Sequence, residues 1–176
     1  TQEQQKVWQR LKNTTLSQTS MANSAGVING LDTRSNWVRP GIMLYGAAHV
    51  ATETPISLEP VMSFNSEVMA LREITAGESV GYGGRWRATR DSLIATIPAG
   101  YGDGYPRTAI DGTPVWLQGR RLPLVGRVSM DMITVDVTDF SDCQVGAPVE
   151  LWGKHLAVNE VAEYAATIGY ELLTRM

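Results

Sequence analysis

The sequence predicts an α/β segment followed by a mostly antiparallel β domain. Before residue 50, helical and strand patterns alternate, which is typical of α/β folds. The residue pattern changes between Pro55 and Pro60, and after Pro60 strand patterns recur with glycine-containing turns between them. With 176 residues, of which 43% are hydrophobic, the chain can hold one domain with a sizeable core, or one domain and part of another.

The composition excludes several classes of function. A net charge of −3 gives no sign of a polyanionic partner, so we expect no binding to nucleic acid. No apolar run approaches the length of a membrane span, and no signal peptide is visible. The single cysteine, Cys143, excludes an intrachain disulfide and fits a reducing compartment. His49 and His155 lie in unrelated contexts without a third ligand at metal spacing, so we expect no metal site.

The first region is predicted to hold a helix, a strand and an extended segment. Residues 1–12 fit a short amphipathic helix, because apolar residues recur there at helical spacing. The small residues of 21–26 are typical of a buried strand that ends in a loop. Further on, Pro40 favours extended geometry at Arg39, and Gly41 permits a tight turn.

The second region is predicted to be mainly strands. Their patterns cover residues 61–74, 92–98, 114–117, 122–125 and 128–137. In the last pattern Ile133 and Val135 share one face of the strand, and Met130 and Met132 share the other. Residues 118–121 fit a hairpin turn, and an apolar stripe over 158–168 predicts one helix that Gly169 ends.

Two clusters in the first region could bind an anion. Ser24 lies in a run of small residues after a strand, where a hydroxyl and backbone N–H groups can surround a phosphate. A turn at a strand–loop junction has the same composition. Arg39, followed by Gly41 and Ile42, could present a guanidinium and backbone amides to an anion or to a heteroaromatic nitrogen. A surface arginine beside a Pro-Gly turn fits those residues equally well.

Three glycines surround Tyr82 in residues 80–84. They can hold the aromatic ring outside the core with its hydroxyl in a cleft. To act as an acid–base there, the phenol needs a neighbouring cation or hydrogen bonds to its phenolate. A bulged hairpin whose tyrosine simply packs is the alternative.

Two further segments carry candidate residues. Residues 100–107 alternate glycine and tyrosine, which predicts a tight aromatic loop suited to lining an entrance, with Asp103 and Arg107 able to pair across it. A structured turn with stacked tyrosines is the alternative. Met130 and Asp131 are adjacent on a predicted strand, so their side chains should point to opposite faces. The backbone there could contact a ligand, or Met130 could pack in the core.

Taken together and in order, these segments resemble the bacterial alanine racemase family. The matching segments are residues 22–25, 37–46, 80–83, 99–107, 128–132 and 148–153. Each is short, but six in the same order are specific, and they extend along essentially the whole chain. The resemblance implies that residues 1–57 are the last elements of a TIM-type (β/α)8 barrel and that residues 58–176 form the β domain of that family.

The resemblance also implies pyridoxal 5'-phosphate (PLP) as cofactor. Ser24, with the backbone of Gly41 and Ile42, would bind the PLP phosphate, and Arg39 would hydrogen-bond the pyridine nitrogen. An arginine is always charged, so it would leave that nitrogen unprotonated and limit the delocalisation of a carbanion. Side reactions such as transamination would therefore be disfavoured.

The implied reaction is the interconversion of L- and D-alanine by a cytoplasmic enzyme, which supplies D-alanine for peptidoglycan or catabolises alanine. Tyr82 would be one of two catalytic bases, with the PLP lysine on the other face of Cα, and would come from the partner subunit of a head-to-tail homodimer. Tyr101 would line the substrate entrance, and Arg107 would lie in its outer layer. Met130 would offer its backbone N–H to the substrate carboxylate, with Asp131 beside it.

This sequence departs from the family pattern in two ways. Ser20 stands where many members have a histidine, which should alter local contacts rather than the reaction. The cofactor lysine, a nearby tyrosine and a ring-stacking histidine belong to an N-terminal half that these residues lack, so we expect a partial enzyme. The alternatives are a related PLP racemase of broader specificity, acting on serine or another amino acid, and a non-catalytic β-domain fragment.

Overall fold

The computed structural model describes residues 2–12, 18–31, 35–48 and 56–176. The chain divides into two compact units, Thr1–Glu59 and Pro60–Met176. The first alternates helices and strands and the second is built from antiparallel sheets, which confirms the predicted fold class. Within the described ranges, no helix combines the length and the apolar character that crossing a lipid bilayer requires.

The first unit contains a β–α–β arrangement. Its elements are α1 (Gln2–Lys12), β1 (Ser20–Asn23), α2 (Ser24–Ile28), β2 (Trp37–Arg39) and a 3₁₀ turn (Ile42–Tyr45). Strands β1 and β2 pair in parallel, as strands joined through a helix do. In their register Asn23 lies opposite Arg39, so the residues that follow both strands lie at the same edge.

The prediction that the strand at 21–26 ends in a loop is wrong, because β1 runs directly into α2. Asn23 has extended backbone angles, φ −86° and ψ −173°, and its side-chain Oδ1 accepts a hydrogen bond from the N–H of Gly26 at 3.0 Å. This is an N-cap, which satisfies one of the free N–H groups of a helix start. Ser24 therefore becomes the first helical residue.

The second unit folds into three antiparallel sheets. Its strands are β3 (Phe64–Glu67), β4 (Ala70–Ile74), β5 (Ser79–Val80), β6 (Trp86–Arg87), β7 (Ser92–Ile97), β8 (Pro114–Leu117), β9 (Arg120–Pro123), β10 (Ile133–Asp136) and β11 (Pro148–Trp152). The sheet orders are β10-β7-β4, β3-β11-β8-β9 and β5-β6. Two helices follow, α3 (Val158–Tyr164) and α4 (Gly169–Thr174).

The core of the second unit follows the alternation of its strands. On β10, Ile133 and Val135 are buried while Thr134 and Asp136 are half-buried. An aromatic cluster adds to this core, because Phe64 meets the Trp152 ring edge-on with ring centroids 4.8 Å apart. Burial of such alternating apolar faces is the main force that holds antiparallel sheets together.

The predicted strand over 128–137 is wrong in its first half, because β10 begins only at Ile133. Residues 128–132 form a loop that Ser129 closes. Its hydroxyl donates to the carbonyl of Met132 at 2.8 Å and accepts from the N–H of Met132 at 3.0 Å. Serine side chains compete in this way with strand ladders. Met130 and Asp131 consequently do not lie on opposite faces of a strand.

Other predicted boundaries shift for local reasons. The turn between β8 and β9 needs only Gln118 and Gly119, which have φ of 44° and 89°, so β9 begins before residue 122. The predicted strand at 61–74 divides into β3 and β4, which join different sheets. The helix predicted over residues 158–168, which is α3, is also shorter than predicted. It ends at Tyr164, and Gly169 starts α4 instead of ending α3.

Candidate active site

Ser24 connects the two strand ends of the first unit. Its side chain is 2% exposed, and its Oγ accepts hydrogen bonds from the N–H groups of Gly41 at 2.8 Å and Met43 at 3.4 Å. Gly41 lies directly before the 3₁₀ turn that Ile42 opens. Three of the residues predicted to bind one phosphate therefore lie together. Helix starts supply N–H groups without intrahelical partners, and this edge has two such starts.

Arg39 is anchored to the neighbouring strand. Its guanidinium donates to the Oγ of Ser20 at 2.8 Å and to the carbonyl oxygen of Met21 at 2.9 Å. These contacts use two of its five N–H donors and leave the others for a ligand. Ser20, one of the two departures described above, supports Arg39 through its hydroxyl. This contact gives the altered residue a structural role.

Tyr82 lies in a turn between β5 and β6. It begins a short 3₁₀ segment, Tyr82–Gly84, and 73% of its surface is exposed. The N–H of Gly84 closes the turn on the carbonyl of Gly81 at 3.2 Å. The structure thus has the ring outside the core, which is one of the two arrangements that the surrounding glycines allow, and not packed inside a bulged hairpin.

Two loops are joined by their backbones next to this turn. The N–H of Tyr101 donates to the carbonyl of Ser129 at 3.0 Å, and the N–H of Gly102 donates to that of Met130 at 2.7 Å. At Gly100, a Cβ atom would come within 2.3 Å of the Met130 carbonyl oxygen, so only glycine fits there. These contacts bring the two predicted substrate-binding segments together.

The predicted residues of the second unit surround one cleft of about 690 Å³. It is lined by Tyr82, Tyr101, Arg107, Met130 and Asp131, together with Gly83, Arg85, Arg127, Val128, Ser129 and Met132. Met130 is 60% exposed, which excludes the core role considered for it. Its backbone N–H forms no hydrogen bond within the part of the chain that the structure describes, so it can donate to a ligand.

The aromatic loop differs from its predicted details. The guanidinium of Arg107 lies over the ring of Tyr101, 5.9 Å from its centroid, in a cation–π contact. Asp103 does not pair with Arg107. Its carboxylate accepts from the N–H of Gly100 at 2.9 Å. Tyr105 is fully buried in the core, while Tyr101 is 40% exposed, so the two tyrosines lie in different environments.

Two arginines of the cleft, Arg85 and Arg127, are not predicted by the sequence patterns. Arg85 follows the glycine pair beside Tyr82, and Arg127 precedes the segment at 128–132, so each adjoins a motif that was recognised. Arg85 is paired with Asp111, with 3.1 Å between Nε and Oδ2. The charge of Arg85 is thus matched by Asp111, but Arg107 and Arg127 outnumber the one aspartate that lines the cleft, so the cleft favours an anionic ligand.

Among the described residues, no group of three or more His, Cys, Asp or Glu side chains could hold a metal ion, and His49 lies outside them. His155 has a structural contact instead, with its Nδ1 at 2.9 Å from Oε2 of Glu150. Burial opposes ionisation of Glu150, but hydrogen bonds from His155 and from the N–H of Leu156 outweigh it and hold its pKa below the ordinary value.

Two family models match the chain. One describes the alanine racemase C-terminal domain and matches residues 61–176, and the other describes the alanine racemase N-terminal domain and matches residues 1–49. The alanine racemase of Pseudoalteromonas atlantica is 56% identical over 159 residues, which cover 89% of this chain and 42% of that protein. The alanine racemase of Shewanella woodyi is 48% identical over 178 residues, covering 100% and 50%. The chain therefore spans about half the length of the relatives it matches.

Solved structures give the same result. The biosynthetic alanine racemase of Pseudomonas aeruginosa superposes with a TM-score of 0.93 at 48% identity, covering 99% of this chain and 49% of that one. An alanine racemase of Bartonella henselae with covalently bound pyridoxal phosphate superposes with a TM-score of 0.87 at 38% identity, covering 99% and 49%.

Proposed function

The chain belongs to the alanine racemase family, and on that premise we propose that it is the C-terminal part of a PLP-dependent isomerase that interconverts L- and D-alanine. The observation that carries this proposal is the cleft of the second unit. There an exposed tyrosine, Tyr82, shares one cavity with Tyr101, Met130 and Asp131. Relatives named alanine racemase at 56% and 48% identity support alanine as the substrate.

The first unit would hold PLP through its phosphate and its ring. Because the oxygen of Ser24 already accepts from Gly41, its hydroxyl hydrogen remains to donate to a phosphate oxygen. Ile42 opens a helical turn, so its N–H lacks an intrahelical partner and can donate as well. These donors fit a phosphate group. The Bartonella henselae relative, which carries covalently bound pyridoxal phosphate, supports the choice of this cofactor.

Arg39 would donate to the pyridine nitrogen of PLP. Its contacts with Ser20 and Met21 orient the guanidinium and leave further N–H groups for the ring. Because the guanidinium keeps its proton, that nitrogen would stay unprotonated. This limits the electron-withdrawing strength of the ring and favours return of the proton to Cα over transamination.

Tyr82 would move the proton on one face of the substrate Cα. Bound PLP withdraws electrons from Cα and so makes its hydrogen acidic. The phenolic oxygen of Tyr82 would accept or donate the Cα proton on one face, and a lysine supplied by the rest of the protein would serve the opposite face. Two opposed bases invert the centre without turning the substrate, and a positioned acid–base contributes about 10²–10⁴-fold to the rate.

The cleft would bind the carboxylate of alanine. The N–H of Met130 points to this role, because it has no partner within the described ranges of the chain. Arg107 and Arg127 line the same cleft and would draw an anionic substrate towards it. Tyr101 and Arg107, held together by their cation–π contact, would form part of the entrance.

The complete protein would combine these parts in a dimer. We propose that residues 1–57 are the last elements of a TIM-type barrel, that residues 58–176 are the β domain, and that Tyr82 serves the cofactor of the partner subunit in a homodimer. Cys143 is a buried free thiol, which fits an enzyme of the reducing cytoplasm.

The test uses the complete protein, with the N-terminal half present. Purified protein is incubated with PLP, its visible absorbance band is recorded, and the racemisation of L-alanine, L-serine and L-lysine is followed by chiral chromatography. A cofactor band with alanine as the fastest substrate supports the proposal. A faster reaction with serine or lysine points to a broader racemase, and the absence of both band and racemisation rejects the function.

A further inference from the structure

The position of Tyr82 depends on its backbone. With 73% of its surface exposed, the side chain has few packing contacts that could hold it. The turn that carries it is attached through β5 and β6, which contribute only two residues each. So short a hairpin is not rigid in isolation. A catalytic hydroxyl at its tip therefore needs a second support.

That support is the corner at residues 126–127. The turn contacts this corner backbone to backbone, with no side chain between them. A Cβ at Gly81 would lie 2.9 Å from the N–H nitrogen of Arg127, and a Cβ at Gly126 would lie 2.9 Å from the carbonyl oxygen of Val80. Both glycines have positive φ, 77° and 80°. The location of the Tyr82 turn is thus set by the location of Gly126.

Gly126 is in turn held by an ion pair. Asp111 accepts from the N–H of Gly126 at 2.7 Å, and Arg85 donates to the carbonyl of Gly126 at 3.2 Å. Arg85 and Asp111 also join each other through two hydrogen bonds of 3.1 and 3.2 Å. The bidentate pair therefore hydrogen-bonds both the N–H and the carbonyl of Gly126. Arg85 lies only three positions after Tyr82.

We propose that Arg85 and Asp111 are positioning residues for Tyr82, acting through Gly126, and this inference rests on the proposed function of Tyr82 as an acid–base. The charge of Arg85 is matched by Asp111, so its role is geometric rather than the attraction of substrate. A bidentate arginine–carboxylate pair fixes orientation in a way that single hydrogen bonds do not. Misplacement of a catalytic group by about 1 Å can cost roughly 10²-fold in rate.

The experiment uses the complete protein with three variants. Asp111→Asn keeps the size of the side chain but removes its charge, and Arg85→Lys keeps the charge but cannot form the bidentate contact. Arg90→Gln is the matched control, because it breaks another arginine–carboxylate pair, Arg90–Asp139 at 2.6 Å, which is exposed and outside the cleft. Far-UV circular dichroism identifies variants that retain the fold.

Two readouts are measured for each variant. The first is amide hydrogen–deuterium exchange over residues 79–87 and 124–128, which requires no catalysis. The second is kcat/KM with the deuterium isotope effect for L- and D-alanine labelled at Cα. If the Arg85–Asp111 pair positions Tyr82, both of its variants, Asp111→Asn and Arg85→Lys, exchange faster in these segments, and kcat/KM falls about 10- to 100-fold. The isotope effect then rises for one enantiomer alone, because only one face depends on Tyr82.

The inference is overturned if exchange in these segments matches that of Arg90→Gln, or if the isotope effect changes equally for both enantiomers. Faster exchange with unchanged isotope effects would mean that the Arg85–Asp111 pair has a purely structural role, and this result would also overturn the inference. Racemisation by the wild-type protein in the same assay tests the proposed function separately. The exchange measurement tests the role of the Arg85–Asp111 pair in holding the turn even if that function fails.

Discussion

The Oγ of Ser24 accepts a hydrogen bond of 2.8 Å from the backbone N–H of Gly41, which joins the segments that follow two parallel strands. The two residues are seventeen positions apart in the chain. Their contact gathers a hydroxyl and the start of a 3₁₀ turn at one edge of the first unit. The group of donors that would bind the cofactor phosphate depends on this bond.

Ser24→Ala should weaken PLP binding. A hydrogen bond to a charged group contributes about 1.5–3 kcal/mol, so the PLP dissociation constant should rise about 10- to 100-fold. The N–H of Gly41 also loses its acceptor. Equilibrium titration of the complete apoprotein by cofactor absorbance measures this change. Ser141→Ala is the control, because among the described residues that hydroxyl hydrogen-bonds only to the exposed side chain of its neighbour Asp142, and equal affinities in the two variants would remove Ser24 from the phosphate site.

Arg39→Glu should change the balance of products. A carboxylate at this position would keep the pyridine nitrogen protonated and deepen the electron withdrawal of the ring. Racemisation should fall, and the variant should release pyruvate from alanine by transamination. Coupling to lactate dehydrogenase measures pyruvate beside the chiral assay. A variant that racemises at the wild-type rate without pyruvate would show that Arg39 does not contact the ring.

Tyr105→Phe should stabilise the protein. The hydroxyl of Tyr105 is buried without a hydrogen-bond partner among the described residues. Leaving such a group unpaired costs about 1–3 kcal/mol, so its removal should raise the free energy of unfolding by about 1 kcal/mol and the Tm by a few degrees. Calorimetry measures the change, and Tyr164→Phe, at a ring that is 37% exposed, is the neutral control. A lower Tm for Tyr105→Phe would mean that the hydroxyl has a stabilising partner.

The same variant should respond differently to alkaline pH. Burial raises the pKa of Tyr105 far above its ordinary value. In the unfolded chain the phenol ionises near pH ~10, whereas in the folded protein it keeps its proton, so stability is lost as pH rises above that value. The advantage of Tyr105→Phe should therefore grow between about pH 10 and 11, by up to about 1.4 kcal/mol per pH unit.

Much of the candidate site could be predicted because its residues lie in short glycine-rich segments. The glycines around Tyr82 indicated that the ring could lie outside the core, with a packed ring as the alternative, and the alternation of glycine and tyrosine predicted the loop that carries Tyr101. Both features follow from local backbone requirements, which a sequence expresses directly. The parallel pairing of β1 and β2 was not predicted in this way, because the residues of the helix between them, α2, were expected to form a loop.

The rest depends on contacts between distant residues. Arg85 and Asp111 are 26 positions apart, and neither belongs to a motif that suggests a pair. The loop at residues 128–132 reads as part of a strand because its apolar residues alternate, but Ser129 bonds locally to Met132 and ends the ladder. A side-chain hydrogen bond of this kind overrides a strand pattern, and the pattern alone does not reveal it.

A mixed dimer tests whether the active site is shared. If Tyr82 of one subunit serves the cofactor bound near Arg39 of the other, a dimer of one Tyr82→Phe and one Arg39→Glu subunit contains one fully native site. Random mixing of the two variants should then restore roughly a quarter of wild-type racemisation, although each variant alone is nearly inactive. Co-expressed subunits with different affinity tags allow the measurement. Mixtures no more active than their components would place both residues in one subunit's site.

The most direct test of the account is the racemisation rate of Tyr82→Phe in the complete, PLP-saturated protein. The phenylalanine keeps the ring and loses only the hydroxyl, so PLP affinity should match that of the wild type. We expect kcat for alanine racemisation to fall about 10²–10⁴-fold, because one face of Cα loses its acid–base. Racemisation at the wild-type rate would contradict the account and remove Tyr82 from the reaction.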